Sequence, residues 1–431
     1  MNDARASAVL KRAVIIAVGS ELLTPNRIDT NSLFLTTHLN ALGIGVSQKF
    51  VVGDEPVDLS DTLQYAIGRS DLVVTTGGLG PTEDDLTREA VSTCLGLPLE
   101  EKPKLIEAIQ ARFADRGLEM PAINSRQALV PAGAIVIPNA HGTAPGLWID
   151  HESTVILLLP GPPRELRPMF EQLAHDRLSA RSDGRRIYRR VLRITGRTES
   201  YVEELTQPVY AKWYAGRPSV KTTILASLGQ IELHLSTTDA NVSVAESVLD
   251  DATVELDGVL GKDLISTDGS SLEEVTGSLL CEEGVRVAVA ESCTGGLVAS
   301  RLTDVPGSSA YMHAGWTLYS NEAKIALLGV DERLIHKHGS VSEEVAEAMA
   351  VGARHLAGVE FGLGVTGIAG PGGGSNEKPI GTVCMALAGP DGSTRTRRLQ
   401  LSGERDRVKF QASQAVLDML RRTLMRRRQS R

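Results

Sequence analysis

Short apolar runs in this 431-residue chain end in glycine, or in a small-residue turn that leads to it. Ala13 to Val18 runs into Gly19, and Asp71 to Thr76 into Gly77-Gly78. Val285 to Ala290 runs into Glu291-Ser292-Cys293-Thr294-Gly295-Gly296. A continuous apolar run of this length suits a strand buried on both faces. Between the first two runs, Leu33, Phe34, Leu39 and Leu42 give Thr30 to Leu42 a helical apolar face, and Gly43 stops it. Further strands fit Ala134 to Ile137 and Thr154 to Leu159. Strands alternating with helices predict an α/β protein whose parallel or mixed sheets are covered on both sides. In such sheets the working loops lie beyond the carboxyl ends of the strands, where these glycines stand.

The turn Leu159-Pro160-Gly161-Pro162-Pro163 reverses the chain, composition shifts after Met169-Phe170, and Arg181 to Arg186 reads as a linker. Arg189 to Thr195, Ile224 to Ala226 and Ile231 to Leu235 read as strands of a small α+β module. A last unit begins near Ser271. In it Ser342 caps a helix with Val345, Met349 and Leu356 along one face, and Glu404 to Leu424 closes the chain as a helix. The expected domains are 12–172, 185–262 and 265–425. No apolar run approaches the roughly 20 residues of a membrane span, and Met1 to Arg12 lacks the features of a signal peptide. A cytoplasmic protein without a membrane partner is expected. The formal net charge of −8 argues against nucleic acid as a partner. Two basic runs, Arg185 to Arg197 and Arg421 to Arg431, read as a solvated face and a frayed tail. Cysteines 94, 281, 293 and 384 form no C-x-x-C pair, so neither a zinc cage nor a disulfide framework is expected.

A strand that runs through a small-residue turn into a helix sets the turn's side chain at the sheet edge, beside unpaired helix amides. Ser292 occupies that place, and the amides of Thr294, Gly295 and Gly296 are candidate oxyanion donors. The same turn also suits phosphate binding. Cys293 is a rival nucleophile. A serine needs a base. Lys324, one turn into a helix, is a candidate if burial lowers its ordinary pKa of ~10.4, with Tyr319 as proton relay. Spacing alone favours a core-edge aromatic and a surface cation. The glycine-rich stretch Thr366-Gly367-Ile368-Ala369-Gly370-Pro371 suits a loop that meets a ligand. Arg405 either forks onto a phosphate or makes a helix-entry salt bridge with Asp406.

Four motifs in order resemble the bacterial nicotinamide-nucleotide amidohydrolase family, which is also the C-terminal half of CinA, the competence/damage-inducible protein. They are Glu291 to Gly296, Tyr319-Ser320-Asn321-Glu322-Ala323-Lys324, Thr366 to Pro371 and Lys378-Pro379-Ile380-Gly381-Thr382. The resemblance covers about 265 to 425. It implies deamidation of nicotinamide mononucleotide to nicotinate mononucleotide and ammonia, without a cofactor. It makes Ser292 the nucleophile, Lys324 the base and Tyr319 the relay, with Thr366, Gly367 and Arg405 as substrate contacts.

Near the N-terminus, Gly19-Ser20-Glu21, Asp29-Thr30-Asn31 and Thr76-Gly77-Gly78-Leu79-Gly80-Pro81-Thr82-Glu83-Asp84-Asp85 set glycine amides beside carboxylates. Gly77, Gly78 and Gly80 are candidate phosphate contacts and Asn31 a further substrate contact. Glu21, Asp84 and Asp85 are candidate ligands for a divalent metal ion whose identity oxygen ligands alone do not specify. Asp84 and Asp85 read equally well as helix caps. These motifs resemble the molybdopterin-binding fold family. With Asn124 to Ala128, Gly142-Thr143-Ala144-Pro145-Gly146 and Leu159 to Pro163, they are similar to the CinA N-terminal domain over about 12 to 172. That resemblance implies metal-dependent hydrolysis of ADP-ribose to AMP and ribose 5-phosphate, so that both halves would recycle pyridine nucleotides. Non-catalytic pterin or nucleotide binding is the alternative. CinA proteins carry a KH-like module at 185–262, but no Gly-x-x-Gly loop stands there in a position suited to nucleic acid, and a spacer or dimer contact is expected. The resemblance implies a homodimer.

Overall fold

The computed structural model describes residues 9–227 and 229–429. They divide into two compact units. One runs up to Tyr188 and includes Thr237–Glu246; the other holds Arg189–Ser236 and the chain from Ser247 onward. No described helix is long and apolar enough to cross a membrane.

The first unit is a six-stranded mixed sheet. Its strands are β1 (Arg12–Val18), β2 (Gly45–Val52), β3 (Leu72–Thr76), β6 (Ile135–Ile137), β7 (Gly146–His151) and β8 (Thr154–Leu159), in the order β2-β1-β3-β8-β7-β6. A short ribbon of β4 (Leu99–Glu101) and β5 (Leu129–Pro131) stands apart. β1 is parallel to β2 and β3, and β3 to β8, while β7 and β6 run antiparallel. Successive β1 side chains enter different cores: Ala13 and Ile15 one, Val14, Ile16 and Val18 the other. That is why the run shows no polar alternation. Helices α1 (Thr30–Ala41) and α5 (Pro163–Leu173) cover the first face; α2 (Pro56–Ile67) and α3 (Thr87–Leu95) cover the second; α4 is Pro103–Ala114. The apolar face expected of α1 is corrected in part. Asp29 caps it through the Ser32 amide at 3.0 Å, which turns Leu35 and Leu39 inward and leaves Leu33 exposed.

From Arg186 to Ser266 the chain forms a four-stranded sheet, β10-β11-β9-β12, from β9 (Arg186–Thr195), β10 (Lys221–Ser227), β11 (Gln230–Asp239) and β12 (Leu264–Ser266). Its helices are α6 (Glu199–Tyr210) and α7 (Val242–Leu260). The arginines here are paired rather than simply solvated: Arg190 with Asp250, Arg193 with Glu232, Arg197 with Asp263.

The remainder holds a five-stranded sheet in the order β14-β13-β15-β16-β17. Its strands are β13 (Val287–Glu291), β14 (Met312–Thr317), β15 (Phe361–Gly367), β16 (Thr382–Ala388) and β17 (Thr394–Gln400). Around it lie α8 (Leu272–Glu283), α9 (Leu297–Thr303), α10 (Asn321–Leu328), α11 (Glu332–His338), α12 (Glu343–Ala357) and α13 (Arg405–Gln429). β13 repeats the logic of β1, with Val287 and Val289 in one core and Ala288 and Ala290 in the other. α12 lies against β15 because Gly362 and Gly364 have no Cβ; one there would fall on the carbonyl oxygens of Ala350 and Ala346. Ser342 caps α12 as expected, and Val345 and Met349 are buried, but Leu356 is exposed. The small residues Ala346, Ala350 and Ala353 complete the buried stripe instead. The basic tail is not frayed: Arg421 is buried against Asp418, and Arg427 and Arg428 meet Glu283 and Glu282. Arg431 lies outside the described residues.

In both mixed sheets the chain leaves a central strand to one side and returns to the other. From β1 it goes to β2 and then β3; from β13 it goes to β14 and then β15. Each reversal opens a crevice at the strands' carboxyl ends, where ligands bind in open α/β sheets.

Candidate active sites

In the C-terminal crevice, Glu291 stands in register with Thr317 and Val365, so the residues just past them converge. A cavity of about 230 Å³ is lined there by Ser292, Tyr319, Lys324, Thr366, Gly367 and Arg405, among others. Lys324 is only 2% exposed. Its Nζ donates to the carbonyls of Leu318 at 3.0 Å and Ser320 at 3.3 Å. Burial among neutral acceptors lowers its pKa, against smaller opposing effects of Cys293 and Glu322. The surface-cation reading of Lys324 is thereby excluded. Tyr319 is exposed, and its hydroxyl accepts from Arg405 Nη2 at 3.2 Å. The other fork of Arg405 donates to Gly370 O at 2.7 Å, so this guanidinium ties the glycine loop to Tyr319 instead of pairing with Asp406. Thr366 is buried and donates to Ser340 O at 2.8 Å.

The turn after β13 corrects the expected oxyanion donors. Glu291, 1% exposed, folds its carboxylate back onto the start of α9. It accepts from the amides of Gly296 and Val298 at 3.0 Å and of Ala299 at 2.8 Å. The amide of Gly296 is therefore occupied, and that of Gly295 donates to Ser292 O at 3.2 Å. Thr294, Gly295 and Gly296 do not line the cavity. Cys293 is buried in the core, and burial pushes its thiol up to about 12. A thiol so far from ionising is a poor nucleophile, which leaves Ser292 as the nucleophile candidate on that turn.

In the N-terminal crevice, a cavity of about 370 Å³ is lined by Gly77, Gly78, Gly80, Glu21, Asp84 and Asp85, with Asp54, Gln127 and Glu165. Gly77 has φ 98°, and a Cβ there would fall on the carbonyl of Val18. The loop can follow this path only as glycine. Thr87 Oγ1 closes it onto Gly77 O at 2.9 Å. Arg88, 1% exposed, holds it from beneath through Leu79 O at 2.6 Å and Gly80 O at 3.0 Å. Asp85 accepts from the Thr82 amide at 2.9 Å and hydroxyl at 2.5 Å. Neither Asp84 nor Asp85 caps α3, whose N-cap is Leu86. Asn31 does not line the cavity; it donates to Gly161 O at 2.7 Å, and Gly161 does.

Residues 14–180 match the family described as "Probable molybdopterin binding domain", and residues 269–424 that described as "CinA C-terminal domain". The CinA-like proteins of Koribacter versatilis (strain Ellin345) and Acidobacterium capsulatum are 45% and 44% identical over 417 residues, in each case 96% of this chain and 100% of the relative. The chain belongs to the CinA family. Among solved structures, the competence/damage inducible protein CihA from Agrobacterium tumefaciens is 37% identical. That likeness covers 36% of this chain and 93% of that one, with a TM-score of 0.35.

The carboxylates of this CinA-family chain fit a divalent cation in one manner. Among the described residues no three His, Cys, Asp or Glu side chains gather as a ready-made cage. Glu21 is folded over Gly19, and Asp85 is engaged by Thr82. Asp84 is exposed, and the polar groups of Thr82 nearby lower its pKa, which keeps it ionised. A set of hard oxygens with so few free carboxylates suits a cation that takes part of its ligands from outside the protein, as magnesium commonly does. Sequence reasoning quoted Glu291 and passed over Arg88, Asp54 and Glu165. An acidic residue beside a helix start was the legible signal for Glu291; the others have no spacing signature.

Proposed function

We propose that the C-terminal cavity deamidates nicotinamide mononucleotide and that the N-terminal cavity hydrolyses ADP-ribose. What carries the first reading is the buried Lys324 amine, held by two backbone carbonyls and sharing one small cavity with Ser292. An amine with a lowered pKa can be neutral near pH 7 and accept a proton. Ser292 Oγ attacks the carboxamide carbon as Lys324 takes the hydroxyl proton, with Tyr319 as the relay between them. The C–N bond breaks, the proton passes to nitrogen, and ammonia leaves an acyl-serine. Water, deprotonated by the same amine, cleaves the ester and releases nicotinate mononucleotide. Arg405, facing the same cavity, suits the substrate phosphate. No cofactor is needed for these steps.

At the N-terminal cavity, the amides of Gly77, Gly78 and Gly80 suit diphosphate oxygens. Asp84, Asp85 and Glu21 are the residues that would hold a divalent cation, whose part is to offset phosphate charge and polarise phosphorus. The test is ammonia release from nicotinamide mononucleotide beside AMP release from ADP-ribose by the full chain, with and without chelator. The expected pattern is chelator-resistant ammonia release and chelator-sensitive AMP release. Binding of a pterin with no AMP release under any divalent metal would assign the N-terminal domain to binding alone.

A further inference from the structure

A cavity of about 580 Å³ in the second unit belongs to neither crevice. It lies between the β9–α6 turn and β10–β11 on one side and β17 and α13 on the other. Its volume falls within the range of small-molecule sites, roughly 300–1,000 Å³. Its lining carries Arg197, Arg397 and Arg407 against Glu199 and Asp418. Asp418 is already held by Arg421 at 2.7 Å and Arg422 at 2.6 Å, so it cannot neutralise this wall. Arg197 is fixed by Asp263 at 2.6 Å and stacks over Tyr201, with its centre 4.5 Å from the ring centroid. Arg397 and Arg407 are exposed, and among the described residues their side chains make no ion pair or hydrogen bond.

Further features point to a ligand with both an anionic group and a hydrogen-bond donor. The start of the twelve-residue helix α6 opens on this cavity at Thr198 and Glu199; the Thr198 cap takes the Tyr201 amide at 3.3 Å, which leaves the amides of Glu199 and Ser200, outside the helix's own ladder, for phosphate oxygens. Gln411, half-buried and also in the lining, has a buried side-chain oxygen without a partner among the described residues. A buried acceptor left unpaired costs free energy that a donor on the ligand would recover. We propose that this cavity binds a small phosphate-bearing molecule of nucleotide size, with Arg397, Arg407 and the α6 amides on the phosphate.

The far wall is shared with the catalytic cavity. Arg405 and Arg407 stand in the same first turn of α13, one lining each cavity. Gln400 donates to Ile380 O at 2.7 Å and accepts from Thr382 Oγ1 at 3.0 Å. Thr382 O in turn accepts from the amide of Ile368, in the catalytic loop, at 2.8 Å. A phosphate ligand would therefore touch the elements that carry Arg405 and the glycine loop.

The test is a binding titration of the full chain with inorganic pyrophosphate, followed by hydrogen exchange of the complex. This readout does not depend on either proposed activity. One class of sites should weaken roughly tenfold or more in Arg397→Glu/Arg407→Glu, as expected for the loss of forked phosphate contacts. Arg397→Lys should retain most of the binding, and protection should appear at 197–202 and 397–411. Arg397→Glu alone changes an exposed, unpaired side chain, so it should weaken binding while keeping the wild-type melting temperature. Unchanged binding in the double variant, or protection confined to 77–80 and 366–374, would overturn the proposal.

Discussion

At the carboxyl ends of β1 and β3 the chain gathers Glu21, Asp54, Asp84, Asp85 and Glu165 around a glycine loop. At those of β13 and β15 it gathers a buried amine, a serine and an arginine. The reversal of strand order is the same in both places. Topology makes the crevice in each case, and the side chains one or two residues past the strands decide its chemistry. An acid-lined glycine loop suits polyanions shared with a cation. A buried amine that shares a cavity with a serine hydroxyl would, on the proposed reading, serve attack on a neutral amide.

The contrast breaks most sharply at Ser292. Ser292→Ala should lower ammonia release on the order of 10⁶-fold, as expected when a nucleophile is removed, while AMP release stays at the wild-type level. Loss of both activities would mean that the crevices are not chemically independent. Lys324→Met should cost about 10²–10⁴-fold in ammonia release. The pH dependence follows from the direction of the Lys324 shift. Because burial lowers its pKa, ammonia release should rise with pH through a value below that of ordinary lysine, and Lys324→Met should erase that limb. Between the lowered value and the ordinary one, the unfolded chain binds the extra proton, so stability rises with pH there. Denaturant melts of wild type should show that rise, and Lys324→Met should flatten it.

Asp84→Asn with Asp85→Asn should reduce AMP release by about 10²-fold, as expected for a weakened cation site, and leave ammonia release unchanged. Glu291→Gln keeps the shape of the side chain but removes the charge that accepts three amides. It should destabilise the second unit by about 2–3 kcal/mol in urea melts and lower kcat for ammonia more than it raises KM. The smallest effect belongs to Cys293→Ala. A buried thiol held near 12 serves packing, so ammonia release should stay within about threefold for a packing cost of ~1 kcal/mol.

The central strands were legible because burial on both faces writes itself as an unbroken apolar run. β13 owes its visibility to that, as does the Ser342 cap of α12 to its hydroxyl. Less was legible where burial is partial. β2 alternates imperfectly, with a burial pattern ending in a single fully buried residue, and passed unread. Leu33 and Leu356 fit helical spacing but face water, because a helix's rotation about its axis is set by its cap and its neighbours rather than by its apolar residues alone.

The sequence by itself determined which loops line the two crevices, since glycine after a buried strand marks a turn at the sheet edge, and the order of motifs identifies a family. Tertiary structure alone decided the state of the groups those loops carry. Lys324 reads as a cation until it is enclosed by carbonyls, and Arg405 as a partner for Asp406 until it reaches Gly370 and Tyr319. Gly296 reads as an oxyanion donor until Glu291 takes its amide. Charge state and hydrogen-bond occupancy depend on what surrounds a group in space, and residues from distant parts of the chain supply those surroundings.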